Sequence, residues 1–561
     1  MLPVDEPLPE TKAALYERFT RYFYEWKQEQ HPTTRTERRQ LNQALGELAK
    51  AGINGITRFR IGEDLACDVM GEPLFDLACR LGWLNLVDRE AKTDEAVYAF
   101  FHPTFQEYFA ACAINDWDFF LNHVPDNPKQ GNYRIFEPQW KEVILLWLGR
   151  QEEELREQKE QFIQALVEFK DACEQGFYEY RAYFLAAVGI AEFGNCTRAD
   201  EIVAQTVKWV FGYLDKQQRW VQFRTPIKEG AKATLWQTNR QLLIDALIPL
   251  FENSQYKGEV RHEIMEILGE IGIGSSTAVK ALERILENKQ QENRCCIEEA
   301  ACRLIKIANG ESKINAIKTL IDSPLRLDTV ISLGTVDFGN LDSTILDASI
   351  AALTKHLEQT SMFDLKRSFA AQALKKITPS DHPSHQYAIN VLTEQLRFSR
   401  STLEAEIAAG FLKEAGFGNS EEVNTALKDS QDAFRDDLTS RLADLGLELD
   451  PEVINTIKAL IDLMCSDKAR STREQAAWCL AIILLNKQFA PQSYLFTSVV
   501  NILKACLTKL LERNDHRFYA ISFGVHDPLA SCYKLLWHFA RILPYLDFYQ
   551  AWHQTSIHER G

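Results

Sequence analysis

Apolar residues recur along most of the chain at the spacing that places them on one face of an α-helix. The clearest example is the segment 260–286, in which two such stretches are separated by the turn GIGSST. The first stretch has Val260, Ile264, Ile267, Leu268 and Ile271, and the second has Ala278, Ala281, Leu282, Ile285 and Leu286. Because each helix would expose its apolar stripe if it stood alone, the pattern predicts helix pairs that stack on one another.

This helix pair recurs from about residue 240 onward. A leucine at the equivalent position can be followed through Leu268, Leu304, Leu333, Leu374, Leu412, Leu445 and Leu480, with a mean spacing of about 35 residues. A glycine follows this leucine at positions 269, 334 and 446. A drifting period of this size predicts a HEAT-type α-solenoid, an armadillo-type fold, and an irregular helical bundle is the alternative. Solenoids present long surfaces that typically bind other macromolecules, so the pattern favours protein binding over catalysis.

Before the repeat, the pattern predicts a small module in which helices lead into a β-hairpin. The predicted helices cover 9–30, 36–51 and 73–84. Two short extended runs, 83–87 and 97–101, follow with a polar stretch between them, and the second run leads directly into a helix at 102–113. Helices followed by such a hairpin are typical of a winged helix.

The sequence therefore predicts an all-α protein in three parts. These are a winged-helix-like module with its following helix at 1–121, a helical linker subdomain at 122–239, and a HEAT-like solenoid at 240–561. The segment 98–148 is rich in aromatic residues, namely Phe100, Phe101, Phe105, Tyr108, Phe109, Trp117, Phe119, Phe120, Trp140 and Trp147. We expect most of them to form core and some to lie on a docking face, which a large exposed apolar patch would indicate.

Composition and charge narrow the possible functions. The 561 residues are 46% hydrophobic and 25% charged, and the net charge of −16 disfavours binding to nucleic acid or to anionic membranes. No apolar run reaches about 18 residues and the N-terminus lacks an apolar signal segment, so we expect a cytoplasmic protein without a membrane span. None of the 12 cysteines forms a C-x-x-C pair. Four of them, Cys112, Cys302, Cys479 and Cys506, are expected to be small buried hydrophobes in a reducing compartment.

Few residues are candidates for chemistry. Arg35, Arg38 and Arg39 are placed as in a DNA recognition helix, but the acidic total favours a solvated helix face. His382 and His385 are spaced like half of a metal site, but no further histidine or cysteine lies close in the sequence, which favours a polar loop. Nothing in the sequence resembles a nucleophile elbow, and we expect neither a catalytic residue nor a bound metal.

A family resemblance enters at 98–111, which reads YAFFHPTFQEYFAA. This segment resembles the end of the winged-helix domain in NACHT-family signal-transducing NTPases of the STAND type, especially the cyanobacterial ones. In those proteins a strand, a histidine and the Phe-Gln-Glu-Tyr-Phe-Ala-Ala helix start occur in this order. The stretches 8–27, 131–148 and 547–553 resemble the same group, so that with the repeats the resemblance covers nearly the whole chain.

The resemblance implies a role for His102. By its position, this histidine would contact the phosphates of a nucleotide bound in an NTPase domain and help to hold the resting state closed. An imidazole can donate a hydrogen bond to a phosphate oxygen, and the alternative is that His102 only caps or packs at the strand–helix junction. The sequence has no G-x-x-x-x-G-K-[ST] and no Gly-Lys dipeptide. We therefore expect no ATPase activity and no resident cofactor, and we expect the chain to be part of a split or longer protein.

The leading hypothesis is that the chain is the regulatory and sensing portion of a NACHT-type signalling ATPase in conflict or defence signalling. Its expected partners are proteins, namely the NTPase domain and a sensed ligand protein, with no nucleic acid and no membrane. A free-standing HEAT-repeat adaptor or scaffold is the second hypothesis, which a stable complex with a separate protein would favour. A phycobilin lyase-like HEAT protein is the third, although such proteins lack the motif at 98–111. Mixing the chain with bilin and apo-phycobiliprotein and reading the visible absorbance separates that third hypothesis from the other two.

Overall fold

The computed structural model describes residues 9–55, 58–217, 220–252, 258–288, 294–323, 325–339, 341–361, 364–398, 402–417, 459–460, 463, 476, 480, 499–500, 503–508 and 528–553. Helices account for most of these residues, which confirms the predicted helical class. The chain forms two compact units: Met1–Leu243 with Leu460–Gly561, and Ile244–Ala459. The three-part division predicted from the sequence stays a prediction. Within the described ranges, every helix is too short or too polar to span a bilayer.

The N-terminal part of the first unit combines helices with a small sheet. Its elements are α1 (Lys12–Lys27), α2 (Arg35–Asn54), β1 (Ile61–Gly62), α3 (Glu63–Met70), α4 (Glu72–Leu81), β2 (Leu84–Arg89), β3 (Ala96–Phe100) and α5 (Pro103–Cys112). The strands are antiparallel in the order β1-β3-β2, with Leu84 opposite Phe100. The α1, α2 and α4 helices and the β2–β3 hairpin lie close to their predicted positions, whereas the hydrophobic pattern predicts neither β1 nor α3.

Local sequence signals set the ends of these helices. Thr34 begins α2 with a capping box, since its hydroxyl accepts from the backbone N–H of Glu37 and the Glu37 carboxylate accepts from the backbone N–H of Thr34. Gly82 ends α4 with a φ of 89°, in the left-handed region that favours glycine. The chain therefore turns sharply after α4 and enters β2 two residues later.

The core of this part is aromatic. Trp83 is fully buried, and its ring centre lies 4.1 Å from that of Phe23 and 5.1 Å from that of Phe109. The α2 and α5 helices pack closely, because a Cβ at Gly46 would lie only 2.8 Å from the backbone oxygen of Phe109. Most aromatic residues of 98–148 are buried, namely Phe100, Phe105, Tyr108, Phe109, Phe120, Tyr133, Phe136, Trp140 and Trp147. Tyr98, Trp117 and Phe119 are half-buried, and Phe101 is exposed.

The first unit continues with helices linked by short strands and single turns. Its next elements are β4 (Leu121–Asn122), β5 (Asn132–Tyr133), α6 (Lys141–Leu148), α7 (Arg156–Val167), α8 (Phe177–Gly189), α9 (Ala199–Phe211), β6 (Tyr213–Leu214), β7 (Trp220–Val221) and α10 (Thr225–Leu235). The β4–β5 and β6–β7 pairs are antiparallel. The α6 helix is apolar nearly all round and is buried accordingly.

The second unit is a run of consecutive helices. They are α11 (Arg240–Glu252), which leads into this unit, α12 (Glu259–Ile271), α13 (Ser276–Glu287), α14 (Arg294–Ile307), α15 (Gly310–Ile321), α16 (Leu327–Leu333), α17 (Ser343–Gln359), α18 (Leu365–Ile377), α19 (Pro383–Phe398) and α20 (Thr402–Leu412). A short π-helical turn, Lys413–Phe417, follows α20. The helices α12, α14, α16, α18 and α20 pack each on the next. Each helix pair is therefore stacked on its neighbours along the chain.

The repeated leucine lies in this series of stacked helices. Leu268, Leu304, Leu333, Leu374 and Leu412 fall on, in order, α12, α14, α16, α18 and α20, and none is more than 3% exposed. Leu480 is also buried, and Leu445 lies outside the described residues. At the Leu-Gly step of α16, a Cβ on Gly334 would lie 2.8 Å from the Cα of Ala373, so glycine allows α18 to approach. The leucine spacing thus predicts the buried positions of the described helices correctly.

The last described helices belong to the first unit. They are α21 (Pro528–Ile542) and α22 (Tyr545–His553), and they pack on α8. The Tyr178 hydroxyl donates to the backbone oxygen of Leu543 at 3.1 Å, and the Tyr545 hydroxyl donates to that of Asp171 at 3.1 Å. All three side chains of Asp171, Tyr178 and Tyr545 are buried. Residues close to the C-terminus therefore complete the core around α8.

Asp171 gives this junction a pH dependence. Its carboxylate is fully buried and accepts hydrogen bonds from the backbone N–H groups of Cys173 at 2.9 Å and Tyr178 at 2.7 Å. Burial raises the pKa of Asp171 to about 6 despite these hydrogen bonds. The Asp171 carboxyl group therefore binds a proton more tightly in the folded state than in the unfolded chain. The stabilisation that this tighter proton binding gives to the folded state is complete below about pH 4 and is lost as the pH rises through about 6.

We expect Asp171→Asn to remove this pH dependence, which corresponds to about 2 kcal/mol between pH 4 and pH 7. The measurement is urea unfolding of the natural and variant proteins at both pH values. The stability difference, natural minus variant, should be larger at pH 4 by that amount. Asp200→Asn, at an exposed position of α9, is the control and should show no such change. An equal difference at the two pH values for Asp171→Asn would contradict the expectation.

The cysteines follow the expectation only in part. Cys302 is buried, and its thiol donates to the backbone oxygen of Asp328 at 3.7 Å. Cys112 is half-buried, and Cys479 lies outside the described residues. Cys506 is buried but disulfide-bonded, so the expectation of a reduced thiol at this position is wrong. Sequence spacing gives no signal for this bond, because a disulfide depends on which residues the fold brings together.

Candidate functional site

His102 occupies the junction between β3 and α5. Its backbone is extended, with φ −150° and ψ 146°, and it is the N-cap residue of α5, with Pro103 at the first helical position. The backbone N–H of Thr104 donates to His102 Nδ1 at 3.3 Å, and the Thr104 hydroxyl lies 2.9 Å from the same nitrogen. The imidazole itself is exposed. A capping role for His102, one of the two alternatives considered from the sequence, is therefore present in the structure.

The N-cap hydrogen bond also determines which ring nitrogen of His102 can donate a hydrogen bond to another molecule. Because Nδ1 accepts the hydrogen bond from the Thr104 N–H, the neutral imidazole carries its proton on Nε2. The Nε2–H group remains a donor for an acceptor outside the ring. The N-terminus of α5 adds the positive end of a helix dipole at the same place. Chemically, the junction is suited to donate to an anionic oxygen, and capping and phosphate contact are compatible.

Two large aromatic side chains of this part are exposed: Phe101, which directly precedes His102, and Trp26 on α1. Trp26 is 73% exposed and Phe101 is 54% exposed. Phe23 lies between them, with its ring centre 6.1 Å from that of Trp26 and 6.3 Å from that of Phe101. The ammonium group of Lys27 lies 4.8 Å from the Trp26 ring centre. We call Trp26, Phe101 and His102 together the aromatic face.

Buried polar groups of the FQE motif hold α5, the helix that His102 caps, in place. Gln106 is fully buried, and its Nε2 donates to the backbone oxygen of Arg58 at 2.8 Å. The Glu107 carboxylate pairs with the Arg58 guanidinium at 2.5 Å, and the same guanidinium donates to the backbone oxygen of Gln139 at 3.1 Å. Burial raises the pKa of Glu107, and the charge of Arg58 opposes that shift. The motif residues after His102 are thus structural, and they fix the orientation of the helix that His102 caps.

Of the three arginines considered as a DNA-reading group, one is engaged within the fold. Arg38 donates through Nε to the Thr33 hydroxyl at 2.8 Å, and its guanidinium lies 5.2 Å from the Tyr24 ring centre. Arg35 and Arg39 are exposed on α2. Arg38 is therefore used within the fold, and the absence of nucleic-acid binding stays a prediction.

His382 and His385 serve the start of α19. His382 Nδ1 accepts from the backbone N–H of Ser384 at 3.2 Å. His385 Nδ1 lies 3.1 Å from the backbone oxygen of Thr378. In the part of the chain that the structure describes, no group of three or more His, Cys, Asp or Glu side chains is placed to hold a metal ion. These two histidines are hydrogen-bonded locally at a loop–helix junction.

One segment of the chain matches a known protein family. Residues 526–553 match the family model described as NACHT C-terminal Cysteine and Histidine-containing. The match includes α21 and α22 and supports a relation of this segment to the C-terminal region of NACHT-family proteins. No curated protein matches the chain.

Cys532, His538 and His553, the cysteine and histidines of the matched segment that the structure describes, have different surroundings. Cys532 is fully buried, and its thiol donates to the backbone oxygen of Leu503 at 3.2 Å. The His553 ring lies 4.3 Å from that of Tyr549. His538 is half-buried, and burial lowers its pKa. The sequence pattern predicts no role for Cys532 or His538, because isolated residues in an apolar helix carry no spacing signal.

Proposed function

We propose that this chain is the regulatory and sensing portion of a NACHT-type signalling ATPase, and that its aromatic face docks on a nucleotide-binding domain. The observation that carries the proposal is the exposure of Phe101, the residue before the capping histidine, together with that of Trp26, whose ring neighbours the same Phe23 ring as Phe101 does. The C-terminal match to a NACHT-associated family model supports the same class of protein from the other end of the chain. In this proposal, residues 1–121 form a winged-helix-like module and the helix pairs of the second unit form a HEAT-like array.

Exposure of these large apolar side chains to water is unfavourable in free energy. Exposed Trp and Phe side chains grouped on one surface are typical anchors of protein interfaces, where burying them supplies most of the binding energy. His102 adds directionality, because its Nε2–H can donate to a phosphate oxygen of a nucleotide held by the partner domain. Loss of that phosphate contact would favour an open arrangement of the two domains.

In this proposal the remaining parts of the chain have binding rather than catalytic roles. The stacked helix pairs would bind a ligand protein along their extended surface, and binding would shift the closed–open equilibrium of the ATPase. The partners would be proteins, and ATP hydrolysis would take place in the NTPase domain and not in this chain. Conflict or defence signalling is the role that the family resemblance suggests.

The test is binding of the full chain to an NTPase domain encoded next to it, in the presence of ADP. We expect Trp26→Ala and Phe101→Ala each to weaken this binding by at least about 30-fold, as for central aromatic anchors. Leu86→Ala, at an equally exposed apolar position of β2, is the matched control and should bind normally. Failure of the natural chain to bind such a domain or to alter its ATP turnover would overturn the proposal. A stable complex with an unrelated protein would instead favour a free-standing adaptor.

His102 allows capping and phosphate contact to be separated. Serine at this position can cap α5 but cannot reach a phosphate, whereas alanine can do neither. We expect His102→Ala to lower the free energy of unfolding by about 1 kcal/mol and His102→Ser to leave it nearly unchanged. Both variants should speed release of ADP from the complex to the same extent, measured with a fluorescent ADP. If His102→Ser releases ADP as slowly as the natural chain, His102 acts only as a cap.

A further inference from the structure

A cavity of about 470 Å³ lies in the first unit, and its lining includes none of the three residues of the aromatic face. Its walls come from α6, α8 and α10, from the turn at 135–138, and from α21 of the family-matched segment. This volume falls in the range of sites for small molecules, which is about 300–1,000 Å³. The cavity combines an aromatic wall with an unusual density of positive charge.

The aromatic wall consists of Phe136, Phe184 and Trp537. The ring centres of Phe184 and Trp537 lie 6.3 Å apart and the ring planes are inclined by 63°. Gly230 makes room for this arrangement, because a Cβ there would lie 2.6 Å from a ring carbon of Phe184. Such a wall suits the flat body of an aromatic ligand.

Arg181 of α8 contributes a half-buried guanidinium to the lining of the cavity. Its guanidinium donates to the backbone oxygens of Phe136, at 3.0 Å, and Ala540. It is stacked 5.0 Å from the Phe136 ring centre and 4.8 Å from that of Tyr178. Burial lowers the pKa of Arg181, and the charge of Arg541 lowers it further. Among the described residues, no carboxylate neutralises this half-buried charge.

Further positive groups line the mouth of the same cavity. Lys141, Lys534 and Arg541 are exposed there, and the half-buried His538 lies beside them. Arg541 also lowers the pKa of His538, as expected for positive groups close together. The carboxylates of the lining are Glu137 and Glu229. Positive groups therefore outnumber carboxylates at this cavity, although the chain as a whole carries a net charge of −16.

We propose that this cavity binds an aromatic phosphate ester of mononucleotide size. The ring would lie against the wall of Phe136, Phe184 and Trp537, and the phosphate would be held by Arg181 and the basic residues of the mouth. A phosphate is favoured over a carboxylate because its double charge matches several cations at once. Glu137 and Glu229 would accept hydrogen bonds from N–H or O–H groups of the ligand. This site does not depend on the docking role proposed for the aromatic face.

The experiment is calorimetric titration of the full chain with AMP, GMP, CMP and UMP, each beside its nucleoside and beside inorganic phosphate. We expect at least one mononucleotide to bind at least about tenfold more tightly than its nucleoside or phosphate alone, with an affinity that falls as salt is added. If no mononucleotide binds, the proposal is overturned. Equal affinity for nucleotide and nucleoside contradicts the phosphate subsite, and equal affinity for nucleotide and phosphate contradicts the aromatic one.

Three variants locate the binding site without disturbing the core. Arg541→Ala and Lys534→Ala change exposed positions and should each weaken mononucleotide binding by about tenfold. Ala233→Trp fills the cavity from an exposed position of α10 and should abolish binding without changing the charge. Lys92→Ala removes an exposed positive charge outside the lining and is the control. Binding that survives Ala233→Trp, or that weakens as much in Lys92→Ala as in Arg541→Ala, contradicts this site.

Discussion

Replacing Trp552 with alanine is expected to release the C-terminal helices from the first unit. Trp552 is 1% exposed, and its ring lies 5.5 Å from that of Phe177 and 5.9 Å from that of Phe548. Removing a fully buried indole leaves a cavity that the surrounding rings cannot fill, at a cost of about 3–5 kcal/mol. This cost falls on the interface between α22 and α8. The measurement is limited proteolysis, in which cleavage near the C-terminus should become much faster.

Trp26→Ala is the matched control for this change. The same side chain is removed, but Trp26 is 73% exposed, so the free energy of unfolding should change by less than about 1 kcal/mol. The two variants also act on different properties. Trp552→Ala should reduce stability, and Trp26→Ala should reduce binding of the NTPase domain. Equal protease resistance of Trp552→Ala and the natural protein would show that the C-terminal helices are held by other contacts.

Replacing Leu304 with alanine is expected to destabilise the second unit by about 3–5 kcal/mol. Leu304 is fully buried on α14, which packs on both α12 and α16. In a stack of helix pairs, stability depends on each pair and its neighbours, so the loss should be local. Hydrogen exchange followed by mass spectrometry should show faster exchange in α12, α14 and α16, with exchange in the first unit unchanged.

Ile331→Ala provides the comparison for Leu304→Ala within the same stack. Ile331 lies on α16 but is 41% exposed, so its truncation should cost less than about 1 kcal/mol and leave hydrogen exchange nearly unchanged. If Leu304→Ala instead accelerated exchange equally in every helix of the chain, the protein would unfold as one cooperative unit. The nearest-neighbour account of the second unit would then be wrong.

Helix positions and their buried faces could be predicted because the signals are local. The equivalent leucines of α12, α14, α16, α18 and α20 recur at the same position of the apolar pattern, and all of them are buried. The capping box at Thr34 and the glycine at the end of α4 lie within a few residues of the boundaries that they set. By contrast, β1 is only two residues long and exists because β3 pairs with it. A two-residue strand has no periodicity to detect.

The candidate site could be predicted only in part. The motif around His102 locates the strand–helix junction, and Pro103 indicates the start of α5. The hydrophobic pattern places Trp26 on the same helical face as Phe23, yet Phe23 is 6% exposed and Trp26 is 73% exposed. Hydrophobic periodicity identifies the apolar face of a helix, but it does not show which residues of that face the neighbouring elements cover. The basic cavity could not be predicted either, because α6 and α21 meet there only through the fold.

The packing of α21 and α22 on α8 has a consequence for synthesis of the protein. Tyr178 and its hydrogen-bond partner Leu543 are separated by 365 positions in the sequence. A ribosome adding about 5–20 residues per second needs roughly 20–70 s to make the intervening chain. During that time α21 and α22 have not yet been made, so they cannot cover the aromatic surface of α8. Residues 244–459 meanwhile emerge as one continuous stretch. The second unit can therefore fold before the first is complete, and nascent chains need protection from aggregation at α8 until translation ends.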